Sequence, residues 1–421
     1  MEGEDSEYGL TVGALSQINW EKFLEAKLKK AREHMKKYGL DAVLCLTGPN
    51  ICYITNLFHS NETALNYAIL PIEGDPIYFG GCDVAFHVRK HIPYIAVEQA
   101  VPVGGGPYDS SETGAKEYLL REFAEQIEDT IKKLKLDMSA IGIDANLPYI
   151  VNALKKQGIR IGPDGSKVLL ETTLTKLPEE RQIFRRLLSV VDGCFGVAAR
   201  VIRTGVTERE LAGELGKYAF NQGVTPTDAN IMSGPHTWPK DHSHWATDRR
   251  FRPYDTVVID IRFEYAGYES CCYRTFSVGP AQSDVKEAYK NAITLLRDAE
   301  NILRPGITTK DVVEKWPDEM ELWANRPPFI KNERSKLSTY WNNMGHGLGL
   351  LTNHHPPWFW RPLSLKWPQK IEAGMVIALE TQDGTRDNRC GVRIEDDMII
   401  TDTGYEMISN WPADEITETP L

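Results

Sequence analysis

Apolar positions between Trp20 and Tyr38 recur at helical spacing, with Phe23, Leu24, Ala26, Leu28, Ala31 and Met35 on one side and Gly39 as a stop. Asp41–Thr47 is an almost unbroken apolar run that predicts a buried strand, followed by Gly-Pro-Asn and the segment ICYITNL. Tyr67–Pro71 and Pro76–Phe79 predict two short strands around a Glu-Gly-Asp turn. Lys116–Lys133 predicts a second amphipathic helix, Ala140–Asp144 a strand and Pro148–Gln157 another helix. Strands alternating with helices over the first 170 or so residues describe an α/β domain. Leu177-Pro-Glu-Glu then opens a long helical pattern running to Arg203, with proline at the helix start and acids in the first turn. These signals divide the chain into residues 1–174 and 175–421, with residues 1–16 as a loose or partner-covered arm.

The second half carries a weak internal repeat. Arg203-Thr-Gly-Val-Thr-Glu-Arg-Glu-Leu recurs as Arg304-Pro-Gly-Ile-Thr-Thr-Lys-Asp-Val, each after a long helical pattern, with Thr207 or Thr308 as the N-cap of the next helix. Each unit goes on to a strand that carries an acid. YDTVVID ends in Asp260 and returns through a Tyr-Ala-Gly-Tyr turn to Cys271 and Arg274-Thr-Phe; AGMVIALE ends in Glu380 and returns to Glu395. A turn centred near Tyr265 and Ala266 places Asp260 opposite Cys271, and a turn near 387 places Glu380 opposite Glu395. Duplication about a pseudo-twofold axis would put both hairpins on one shared face.

Composition narrows the function. Net charge is −11, which argues against nucleic acid or an anionic membrane as the main partner. The seven cysteines are scattered without a CxxC pair, and their odd number excludes a full set of intrachain disulfides, so a reducing, cytoplasmic setting fits. The acidic start MEGEDSEYGL has no signal-peptide pattern, and no apolar stretch is long enough to span a membrane. Asp260, Glu380 and Glu395, with His346 between glycines in GHGLGL at what reads as a strand edge, are the donor types that a hard or borderline cation takes.

The strings DxxxEYxGY, RTF, HGLGL, AGMVxxxE and GVRIEDDMIITDTGYE closely resemble the creatinase/aminopeptidase P (pita-bread) superfamily, which includes prolidases, methionine aminopeptidases and creatinase. LDAVLCLTGPNICYITNL is similar to the creatinase-type N-terminal domain, so the resemblance covers nearly the whole chain. It implies an N-terminal creatinase-type α/β domain followed by a pseudo-twofold pita-bread α+β catalytic domain. It also implies a homodimer. Its metal-ligand pattern falls on Asp260, His346, Glu380 and Glu395, but the carboxylate that bridges two metals in the peptidases falls on Cys271. A thiolate ligates zinc or iron and cannot repeat that bridge. The site therefore holds one divalent metal (Fe, Zn or Mn) or, as in creatinase, none.

The same resemblance makes His244, in SGPHTWPKDHSHW with His236 and His242, the proton shuttle, alongside His346 and Glu380 as catalytic groups. Trp238, Trp245, His354, His355, Trp358 and Trp360 form the candidate substrate lining, and acids beside Trp faces suit a small cationic molecule. The strings SGPHT and GYEMISNWP look more like the creatinase and dimethylsulfoniopropionate-lyase branch than like true prolidases. Three readings stay open. The first is a creatinase-like hydrolase or lyase breaking a C–N or C–S bond. The second is a metal-dependent Xaa-Pro peptidase, and the third an inactive binding protein on the same fold.

Overall fold

The computed structural model describes residues 17–57, 66–81, 85, 88, 95–103, 112–145, 147–162, 165–239, 245–317, 343–350 and 352–421. The chain forms two compact units, Met1–Thr173 and Leu174–Leu421.

In the first unit, strands β1 (Ala42–Cys45), β2 (Tyr67–Pro71), β3 (Ile77–Gly81), β4 (Ala100–Val103) and β5 (Ile141–Ile143) form a mixed sheet of order β4-β3-β2-β1-β5. Helices α1 (Trp20–Tyr38), α2 (Gly48–Thr55), α3 (Thr113–Leu134) and α4 (Pro148–Lys156) accompany it, and α5 (Gly165–Leu174) leads out. The α1 boundaries follow local chemistry. The Asn19 side chain accepts from the Lys22 amide at one end, and Gly39 at φ 65° closes the other. The Gly-Pro-Asn string starts α2 with proline in its first turn. Asp144, at the end of β5, accepts from the amides of Leu46 and Thr47 and from the side chains of Thr47 and Asn50, which ties that helix start to the sheet.

The second unit repeats one theme. Helices α6 (Pro178–Val201) and α7 (Glu208–Asn221) precede β6 (Thr225–Ser233), β7 (Thr256–Tyr265), the short β8 (Tyr268–Glu269) and β9 (Cys272–Val278). Helices α8 (Ser283–Glu300) and α9 (Thr309–Val313) precede β10 (Asn343–Gly349), β11 (Thr352–Trp360), helix α10 (Arg361–Lys366), β12 (Val376–Gly384) and β13 (Gly391–Ile400). Strands β14 (Tyr405–Met407) and β15 (Thr417–Thr419) complete sheets of order β11-β10-β12-β13-β14 and β15-β9-β7-β6.

The repeat extends to individual hydrogen bonds. Gly205 N donates to Phe251 O and Gly306 N to Ile371 O, both at 2.9 Å; Phe251 N donates to Val206 O and Ile371 N to Ile307 O, both at 2.8 Å. Gly205 and Gly306 hold φ 93° and 94°, a left-handed conformation that favours glycine. Thr207 and Thr308 are the N-caps, each in a reciprocal capping box with Glu210 or Asp311. Matching main-chain geometry at both copies supports duplication where the short shared string could not.

The two sheets join at β9 and β13. Thr275 Oγ donates to Arg393 O at 2.7 Å and accepts from Arg393 N at 3.0 Å, and Arg274 bonds Asp396 at 2.6 Å and the Glu395 carbonyl. Phe276 packs near Phe195 and Trp411. The Arg-Thr-Phe string is therefore a clasp that fixes β13 against β9.

Two expectations need correction. The β7–β9 ladder pairs Asp260 with Tyr273, not Cys271, because the two-residue turn is Ala266-Gly267, with φ 51° and 82°, and Tyr265 faces Tyr268. The offset is an even two residues, so Asp260 and Cys271 still share a face as diagonal neighbours. Nor is His346 at a strand edge. Strand β10 runs between β11 and β12, and His346 is buried. A Cβ at Gly345 would strike the Ala378 carbonyl and one at Gly347 the Pro356 carbonyl, so the flanking glycines let the neighbouring strands close in.

Candidate metal centre

Glu380 and Glu395 pair directly across β12 and β13, as the hairpin reading expects. Asp260, Cys271, His346, Glu380 and Glu395 are all buried, at 5% exposure or less. Burying that many acidic groups in one place is costly unless something compensates.

Compensation is uneven. Arg393 donates from Nε to Glu380 at 2.9 Å, and its guanidinium lies 4.0 Å from the centre of the Tyr273 ring. Asp260 accepts from Asn230 at 3.1 Å and has Arg262 Nε at 3.3 Å, an ion pair without hydrogen-bond alignment. Burial still pushes the Asp260 carboxyl upward, against the pull of Arg262 and Arg393. Glu395 differs from both. Its two oxygens are buried with no hydrogen-bond partner among the described residues. Burial first, and then the charges of Glu380, Asp397 and Asp260, drive it well above the usual carboxylate range.

Glu395 instead faces two donors of another kind. His346 Nε2 lies 3.6 Å from Glu395 Oε1, and Nδ1 sits 3.0 Å from the Gly347 carbonyl, a contact that orients the ring. One ligand atom each from Cys271, His346 and Glu395 lie within 4.8 Å of one another. The Cys271 thiol also donates to Asp260 Oδ1 at 3.6 Å, and burial raises its pKa well above the ordinary thiol value. A buried carboxylate that accepts no hydrogen bond among the described residues, beside an imidazole and a thiol, fits a borderline divalent cation such as zinc or iron. Asp260 and Glu380 differ from Glu395 in that each has an arginine partner.

The structure sorts the other predicted residues. Trp358 is paired with His346 across β10 and β11, which places it beside the centre, and Trp360 lies two residues further along the same strand. His355 pairs with Gly347, so alternation along the strand sends it away from His346. It is buried and feels the charge of Lys176 rather than the acids, and burial pushes it down to about 3, so it is not part of the cluster. Trp238 is buried in the core and packs on Gly384. Trp245 is 67% exposed. His236 is exposed. His242 and His244, and the His354 side chain, lie outside the described residues.

Sequence reasoning overlooked Arg262 and Asn230. Period-two alternation was the available signal for Arg262, since residue 262 shares a face with 260. Asn230 reaches Asp260 only through the β6–β7 pairing, which no local pattern announces.

Residues 182–402 match metallopeptidase family M24, and residues 27–166 match the creatinase/prolidase N-terminal domain. The chain belongs to family M24 and has its pita-bread fold. It is 26% identical to an Xaa-Pro dipeptidase of Pyrococcus horikoshii over 92% of this chain and 97% of that protein. It is 24% identical to an uncharacterised peptidase of Staphylococcus aureus over 91% and 99%. Among solved structures, dipeptidase PepE from Mycobacterium ulcerans superposes with a TM-score of 0.72 at 21% identity, covering 95% of this chain and 99% of that one. The prolidase from Thermococcus sibiricus gives 0.71 at 24%, covering 93% and 98%. Among the described residues, no helix is long and apolar enough to cross a membrane.

Proposed function

We propose that this protein is a metal-dependent M24 hydrolase that cleaves the amide bond of small Xaa-Pro-type dipeptides through a single-metal centre. The observation that carries the reading is the buried Glu395 carboxylate, which accepts no hydrogen bond among the described residues and faces Cys271 and His346. The Xaa-Pro dipeptidase and prolidases among its relatives favour this reaction over a lyase. Cys271, His346 and Glu395 would hold the ion, which when bound supplies a Lewis acid and a more acidic water.

The chain's own groups supply the rest. The Gly347 carbonyl sets the His346 ring so that Nε2 faces the donor set. Glu380, beside Glu395 and paired with Arg393, would take a proton from the attacking water and return it to the leaving nitrogen. Water oxygen joins the carbonyl carbon, the C–N bond breaks, and the amine leaves protonated. His244 is proposed as a second proton carrier, and Trp358 and Trp360 as apolar lining. A homodimer belongs to the proposal as well and is checked by sedimentation.

A second reading has one specific observation in its favour. Cys271 replaces a bridging acid and two arginines already balance two acids, as suits a creatinase-like, metal-free cleavage of a small cationic substrate. The deciding experiment is metal analysis of protein purified without chelator, alongside turnover of Xaa-Pro dipeptides. The proposal expects one equivalent per chain and hydrolysis that chelation abolishes and zinc, iron or manganese restores. Absence of turnover with the metal present would overturn it.

A further inference from the structure

We propose that Arg262 is a resident cation that closes the position of a second metal, so that a carboxylate restored at residue 271 is not enough to rebuild a two-metal centre. The inference rests on the M24 reading of the site and concerns the half of it that the single-metal cluster leaves unexplained.

Arg262 follows Asp260 by two residues on β7, on the same face, and the ladder that pairs Ile261 with Cys272 brings Arg262 opposite Cys271. Its Nε lies 3.3 Å from Asp260, and its outer nitrogen is tethered by Asp228, its direct partner on β6. The guanidinium is thus held from outside by one acid and presented to the inner acid next to the thiol. Its side chain keeps 24% exposure, so it enters from the rim and is not a packed core group. Arg393 performs the matching neutralisation on Glu380. Of the three carboxylates, only Glu395 has neither a hydrogen bond nor an arginine ion pair among the described residues; its near contact is His346. One divalent ion across Cys271, His346 and Glu395 answers that need. A second ion at Asp260 would stand against a fixed guanidinium whose charge has already been used there.

The test compares full-length Cys271→Asp with Cys271→Asp/Arg262→Met. Both are stripped with chelator, reloaded with excess manganese or zinc and desalted, and metal is counted by mass spectrometry. The single variant is expected to retain one equivalent per chain, and the double variant to gain about one more. Two equivalents in the single variant, or no gain in a folded double variant, overturns the proposal. Circular dichroism reports folding, and Arg262→Gln replaces Arg262→Met if the latter does not fold. Cys271→Asp/Arg262→Lys keeps the cation and is expected to stay at one equivalent. A wild-type protein that takes no metal would sink the single-metal function. The difference between the single and double variants still decides the role of Arg262.

Discussion

At the scale of single residues, the centre is a set of acids differing in who balances them. Glu380 has Arg393, and removing that partner strands a buried charge. Arg393→Met is expected to cost about 3–5 kcal/mol in urea unfolding at neutral pH. Glu395 behaves in the opposite way, because its oxygens accept no hydrogen bond among the described residues and have only His346 nearby at 3.6 Å. Glu395→Gln should leave the melting temperature of the stripped protein unchanged or higher. It should also abolish the melting-temperature rise that added zinc gives the wild type, where saturation a hundredfold above Kd is worth about 2.7 kcal/mol. A fall in the stripped protein's melting temperature would show that Glu395 has a structural partner after all.

At the scale of elements, the duplicated turn-and-cap is a stability device shared by both halves. Thr207 Oγ1 accepts from Glu210 N at 3.0 Å, and Glu210 Oε2 accepts from Thr207 N at 2.7 Å. Thr207→Ala should cost about 1 kcal/mol by calorimetry, the usual worth of such a cap, without changing metal content. Gly347→Ala acts on the site instead, because a methyl there meets the Pro356 carbonyl and forces β11 away from His346. Its expected signature is weaker metal retention together with lost stability.

For the whole molecule, pH acts through buried groups outside the centre. His355 falls from 6.5 to about 3 on burial, so the unfolded chain binds its proton more tightly than the folded one. Its contribution is full above 6.5 and is lost as pH falls toward 3, with a ceiling of roughly 5 kcal/mol at about 1.4 kcal/mol per unit. Glu300 has the reverse sign. Burial and nearby Asp396 raise it to about 7, so its protonated form favours the fold and stability declines as pH climbs from 4.5 to 7. Denaturant midpoints across this range should lose their acid-side slope in His355→Gln and their neutral-side decline in Glu300→Gln. Unchanged profiles would refute both assignments.

Much of this protein was legible in its chain because the signals are local. The apolar spacing and Gly39 stop define α1 almost to the residue, and the two RxG turns announce the duplication because glycine is needed at that backbone angle. The acids, the histidine and the odd cysteine at 271 were also readable, since strand parity puts them on one face even with the turn misplaced by a residue. Contacts between strands far apart in sequence carried no such signal. Only the tertiary structure decided that His346 is interior, that His355 turns away and that Trp238 fills the core. It alone paired Arg262 and Arg393 with two of the acids and left Glu395 without a hydrogen bond among the described residues. Periodicity tells which way a side chain points, whereas charge balance depends on which charges meet, and here they meet through sheet pairings that join residues 228, 260, 271, 380, 393 and 395.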